Sequence, residues 1–257
     1  MSGLATQIDL LWPAFAAGLI VLATHVPLGI QVLARGIIFI DLAVAQVAGL
    51  GALVAHLADR GDNPWVVQGA AVGAALGAAL MLQWSERHWP KLQEALIGLL
   101  FVLAASGAVL LLSRDAHGGE HLRDLLVGQM LWVSQGQLLA AGAASAALLL
   151  VWKIIGRQGG GLAFYTLFAF AVTVSVQLVG VYLVFASLIV PALATHGLRQ
   201  RRIAAGLGIG AAGYLAGLSL AALADLPAGA ASVWMLAGAG LIFALIRSGV
   251  APPRPIC

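Results

Sequence analysis

One carboxylate stands inside an apolar run of this chain: Asp41, in the stretch GIIFIDLAVAQVAGLGALVAH. Burying an ionised group at membrane depth costs roughly 2.5 to 3.5 kcal/mol on insertion scales, so such a group usually faces a bundle interior or a water-filled path. Asp41 is therefore a candidate for lining or gating a cation path, with a local structural hydrogen bond as the alternative. It falls about five residues after Gly36, close enough to a helix start to sit near an interface. Gln46, five residues on, is a weaker candidate for the same path.

His25 interrupts another apolar run, two residues before Pro27. Proline removes a backbone donor and frees a carbonyl upstream. His25 could bind a passing cation or satisfy the opened ladder. A third group, His117, Glu120, His121 and Asp124, sits in RDAHGGEHLRDLL and combines imidazole with carboxylate, the donors that suit zinc or manganese. If that segment is helical, His117 with His121 and Glu120 with Asp124 are i, i+4 pairs, but Gly118 and Gly119 weaken a helix and the spacing matches no strong zinc signature. A solvated loop is the competing reading.

The elements that must position these residues are membrane helices. Of 257 residues, 61% are hydrophobic and 9% charged, against about 25% charged in ordinary soluble domains. Too few charges are present to cover a soluble surface, and apolar runs of about 20 residues, each long enough to span a core of roughly 30 Å, recur throughout. The expectation is an all-α polytopic membrane protein, one domain over residues 1–257, with about nine spans. They are read as Leu10–Leu33, Ile37–Leu57, Trp65–Trp84, Leu92–Leu112, Leu138–Ile155, two spans from Leu162 to Leu198 divided near Val179 and Gly180, Ile203–Leu223 and Ala228–Ile246. The first run is too long for a signal-peptide core and has no basic stretch before it, so it reads as a retained helix.

Charge orients this ladder. With the N-terminus outside and nine spans, Arg35, Arg87, Lys91, Lys153, Arg157, Arg199, Arg201, Arg202, Arg247 and Arg254 fall inside, against Arg60, Arg114 and Arg123 outside. Ten to three is the asymmetry of cytoplasmic loops in an inner membrane protein, and it places the C-terminus in the cytoplasm. Seven carboxylates, from Asp9 to Asp225, lie on the outer side and leave that face negative, a field that concentrates cations or that simply follows from topology. The nominal pI near 9.5 does not indicate nucleic-acid binding, because the basic residues are spread between spans instead of clustered on a face. Cys257 is the single cysteine, which excludes an internal disulfide and a thiolate cluster. No Gly-rich phosphate cradle of the P-loop type is present, so any energy from ATP comes from a partner. No Ser, His and Asp set with convincing spacing supports an intramembrane enzyme.

Four segments taken in order, VPLGIQVLARGIIFIDLAVAQVAGLG, EALIGLLFVLAASG, VGVYLVFASLIVPALATHG and LPAGAASVWMLAGAGLIFAL, resemble the membrane permeases of bacterial ABC importers for zinc and manganese. The resemblance covers most of the chain, and LVFASLIVPA followed by LPAG is its most distinctive part. It implies a permease that works as a homodimer, is driven by a cytoplasmic ABC ATPase subunit and is fed by a periplasmic metal-binding protein, with zinc as the first expected cargo and manganese the next. In that family an Asp followed four residues later by a His is associated with the metal path. Asp41 matches the Asp, whereas Ala45 occupies the His position and Gln46 follows. The family also carries an acidic, extended cytoplasmic stretch between spans five and six; here it is KIIGRQGGGLAF, without an acid. Docking of the ATPase would then fall to the loops from Glu86 to Glu94 and from His196 to Arg202, with Glu86, Arg87, Glu94, Arg199 and Arg201 as candidates. The alternatives are a relative that kept the fold without an ATPase, and an importer of a metal chelate.

Overall fold

A computed structural model describes residues 2–58, 63–113, 126–128, 130–155, 160–198 and 200–250, with backbone alone at 2–10, 155, 160 and 248–250. Its described residues form nine α-helices: α1 (Ser2–Arg35), α2 (Ile40–Ala58), α3 (Pro64–His88), α4 (Gln93–Leu112), α5 (Gln135–Ile155), α6 (Gly160–Val179), α7 (Val181–Ala194), α8 (Arg202–Ala224) and α9 (Ala228–Val250). Short 3₁₀ turns cover Pro90–Leu92 and Met130–Trp132. Eight of these helices are long and apolar enough to cross a membrane; α7, with 14 residues, is the short one. At 1.5 Å per residue α7 is about 21 Å long, less than the roughly 30 Å core.

Local sequence explains where the helices start and stop. Asn63 caps α3 by accepting the Trp65 N–H at 3.0 Å, with Pro64 in the first turn, where no amide donor is needed. Ser134 and Gln137 form a reciprocal capping box at the start of α5, side chain to backbone at 3.2 and 2.9 Å. Pro90 ends α3, since the residue before a proline is pushed out of the helical region. The α6 to α7 break falls at Gly180, inside the stretch divided on length alone. Gly180 has φ +80° and ψ 164°, a region open essentially to glycine, so the chain can reverse there in one residue.

Helix directions follow from close contacts. The positions of Gly18, Gly210 and Gly206 pair Tyr214, Leu22 and Val26 across α1 and α8, which run antiparallel. Gly213 and Gly217 on α8 lie against Leu236 and Ser232 on α9, again antiparallel, with no room for a Cβ between the backbones. One end of the bundle therefore gathers Arg35, Glu86, Lys91, Arg202 and Arg247, and we call it the basic end. The core falls into two clusters, one among α1, α2, α3, α4, α6 and α7 around Phe164, Tyr165 and Phe168, the other around Leu22, Val184 and Tyr214.

Span seven extends to Leu198 in the sequence reading, whereas α7 stops at Ala194. The reason is chemical: Thr195 Oγ1 bonds back to the Pro191 carbonyl at 2.6 Å, Arg202 donates to the Ala192 carbonyl at 3.1 Å, and Arg247 donates to the His196 carbonyl at 2.6 Å. Arg202 supplies a donor to a carbonyl of the last turn, Thr195 adds a second donor to a carbonyl that its own N–H already bonds, and Arg247 holds the turn beyond the helix.

Candidate functional site

The chain enters α2 through a tight turn. Gly36 at φ +72° closes α1, and the Ile37 N–H returns to the Val32 carbonyl at 3.3 Å. Glu94, from the start of α4, accepts the Phe39 N–H at 3.3 Å and ties that turn to the bundle. Asp41 follows as the second residue of α2. It is 1% exposed, and neither carboxylate oxygen has a hydrogen-bond partner. Buried polar groups are nearly always paired, and burying an unpaired carboxylate is costly. A site that tolerates this leaves both oxygens available to a cation or a proton.

Gln46 is also buried, but it does not share a face with Asp41. Five residues along a helix turn about 140°. Asp41 falls in register with Ala45, Ala48 and Ala52, and the last two line a pocket of about 290 Å³ with Trp132, Gln137, Thr173 and Gln177 at the end opposite the basic one. Gln46 falls in register with Leu42, and both line a separate groove of about 670 Å³ between α2, α4, α7 and α9. Phe101, Tyr182, Phe185 and Trp234 make that groove mainly apolar. Gln46 thus lines a groove, whereas Asp41 lines neither of these two spaces and is enclosed at the start of α2.

His25 is fully buried on α1. Its Nδ1 lies 3.1 Å from the Val21 carbonyl and 3.0 Å from Thr24 Oγ1, while Nε2 has no partner. The carbonyl that Pro27 deprives of a donor is that of residue 23, so His25 does not fill that vacancy. Its ring instead reinforces its own turn. Among the described residues no group of three or more His, Cys, Asp or Glu is placed to hold a metal. His117, Glu120, His121 and Asp124 lie outside the described residues, as does Arg199.

Of the basic-end candidates, Glu86 pairs with Arg35 at 3.3 Å, and Glu94 accepts the Phe39 N–H through Oε1 while its Oε2 is buried without a partner. Both therefore staple helices together. Arg87 points out from α3, and Arg201 stands in the left-handed region (φ 58°) in the turn before α8. Sequence reasoning missed the network beneath them: the Gln93 amide donates to the Leu82 carbonyl and to Tyr165 Oη at 3.0 and 3.2 Å and accepts from Ser85 at 2.6 Å. The one signal for it was a Gln and a Tyr standing in otherwise apolar helix faces. It joins α3, α4 and α6, while Arg35 of α1 packs 4.3 Å from the Phe164 ring centroid.

A family model described as the ABC 3 transport family matches residues 7–158 and 160–247. Among solved structures, PsaBC from Streptococcus pneumoniae in complex with Fab superposes with a TM-score of 0.76 at 19% identity, covering 93% of this chain and 95% of that one. A structure described as an inward-facing conformation of a "putative metal-chelate type ABC transporter" superposes with a TM-score of 0.64 at 18% identity, covering 92% of this chain and 85% of that one. No curated protein matches this sequence.

Proposed function

The chain belongs to the ABC 3 transport family, and from that premise we propose that it is the permease subunit of an ATP-driven importer whose cargo is a bare divalent metal ion, zinc or manganese. The observation that carries the reading is Asp41: a buried, unpartnered carboxylate at the start of a spanning helix. Asp41 offers oxygen alone, a donor manganese accepts readily, whereas zinc is most often held with imidazole or thiolate. The outer His117, Glu120, His121 and Asp124 would receive metal from a periplasmic binding protein. The basic end would face the cytoplasm, in keeping with the Lys and Arg asymmetry. A second copy would complete the path. The ATPase would dock on the turn from His196 to Arg202, because Glu86 is paired with Arg35 and Glu94 is tied to the turn before α2 through Phe39.

The test is uptake of zinc and of manganese into vesicles holding the permease with and without its ATPase, comparing wild type with Asp41→Ala. Uptake that needs ATP and the partner, and falls with the substitution, supports the reading. The second reading, a relative without an ATPase, is favoured by the link between α5 and α6, where only residues 156–159 separate the helices. It predicts uptake indifferent to ATP. Movement of a chelate with neither free ion transported would instead assign the apolar groove to a larger cargo.

A further inference from the structure

The basic end holds several arginines, and most are spent inside the protein. Arg35 pairs with Glu86, Arg202 caps α7 and Arg247 anchors the following turn. Arg87 and Lys91 differ, since both are exposed and form no ion pair among the described residues. Gln83, its amide oxygen turned toward Arg87, accepts from Nε and Nη2 at 2.8 Å. That contact orients the guanidinium without neutralising it. Of the nearby acids, Glu86 is paired with Arg35 and Glu94 is bonded to the Phe39 N–H.

Around these charges stands an aromatic cluster. The Trp84 and His88 rings lie 4.5 Å apart, and Trp89 meets Trp84 edge-on at 5.1 Å. His88 Nδ1 is 2.8 Å from the Trp84 carbonyl, which fixes the imidazole. Both indoles are about half exposed, and Leu80, Met81 and Leu92 continue an exposed apolar surface beside them. The cluster sits where α3 leaves the membrane-spanning length, so its rings are at headgroup depth and its aliphatic flank at acyl-chain depth.

We propose that Trp84, Arg87, His88, Trp89 and Lys91 form a binding site for the phosphate headgroup of an anionic phospholipid in the leaflet at the basic end. Two uncompensated cations supply charge complementarity to a phosphodiester. The indoles bracket the glycerol region, and the α3 flank receives the chain. The inference rests on the membrane-spanning reading alone and not on the cargo.

The experiment uses the full chain, delipidated in detergent and reloaded from vesicles of equal phosphatidylglycerol and phosphatidylcholine, with retained lipids counted by native mass spectrometry. Wild type is expected to retain phosphatidylglycerol over phosphatidylcholine by about thirtyfold, the effect of two surface cations. R87Q combined with K91Q should bring that ratio close to one with unchanged thermal stability, and W84L should lower retention of both lipids. K153Q, at the basic end of α5, should leave the ratio intact. No preference in wild type, or a preference that survives the double substitution, overturns the proposal. So does a double variant that keeps its lipid preference but loses a co-purifying ATPase, which would make this corner a protein-docking surface.

Discussion

Gly128 and Gly180 meet backbone to backbone, both with positive φ (+74° and +80°), and a Cβ on either would strike the other's main chain. The segment before the Met130–Trp132 turn thereby locks onto the break between α6 and α7. Gly180→Ala should cost about 3 kcal/mol or more, from backbone strain of roughly 1 to 3 kcal/mol plus the steric overlap, and lower the thermal midpoint by several degrees. Gly73→Ala is the control, because nothing lies within 4 Å of a Cβ there. A helix-interior alanine should leave stability unchanged or raise it by up to about 1 kcal/mol. Equal midpoints for the two variants would mean that the Gly128 and Gly180 contact does not constrain the fold.

Asp41 separates function from stability. A structural carboxylate, paired in the fold, would destabilise when replaced; an unpaired buried one should not. Asp41→Asn is expected to leave the thermal midpoint close to that of wild type, since a buried carboxyl without partners takes up a proton and the amide replaces one neutral polar group with another, while metal uptake drops at least tenfold. Loss of stability together with loss of uptake would show that Asp41 has a structural partner in the assembled transporter.

The Gln93 network gives a contrast between buried and exposed polar contacts. Gln93→Leu removes three buried bonds, while Tyr165 Oη keeps its bond to Glu86, so a loss of about 2 to 3 kcal/mol is expected. Glu86→Gln removes an ion pair whose side chains are 29% and 30% exposed. The change should be within about 1 kcal/mol and should vanish at high salt. Chemical unfolding in detergent at low and high ionic strength checks both, and a larger effect for Glu86 than for Gln93 would reverse the ranking.

How much of this was legible follows from the range of each interaction. The break at Gly180 could be read because the apolar stretch was twice a crossing and contained a Gly where a reversal was needed. The spans themselves follow from run length. The separation of Asp41 from Gln46 was implicit in helical geometry, but the groove that Gln46 lines depends on α7 and α9, far along the chain. The roles of Glu86 and Glu94 were not legible, because their partners, Arg35 and Phe39, are 51 and 55 residues away and charge alone does not say which way a side chain turns. The early end of α7 was hidden for the same reason, since Arg247 reaches it from the last helix.

The turn that follows α7 carries the last prediction. Its shape is fixed from within by Gly197 at φ +81° and Arg201 at φ 58°, and from outside by Arg247 on His196. Arg201 is exposed and has a backbone conformation that glycine adopts more easily. Arg201→Gly should therefore preserve or slightly raise stability while removing a charge from the proposed docking surface. Arg201→Glu reverses the charge and should weaken co-purification of the ATPase further. Arg247→Ala leaves Arg201 in place but frees the turn, and should reduce stimulated ATP hydrolysis without abolishing ATPase binding. If docking reads charge, the two Arg201 variants fall in order of charge; if it reads shape, Arg247→Ala is the most damaging of the three. An ATPase that binds all three variants as it binds wild type would place the docking surface elsewhere on the basic end.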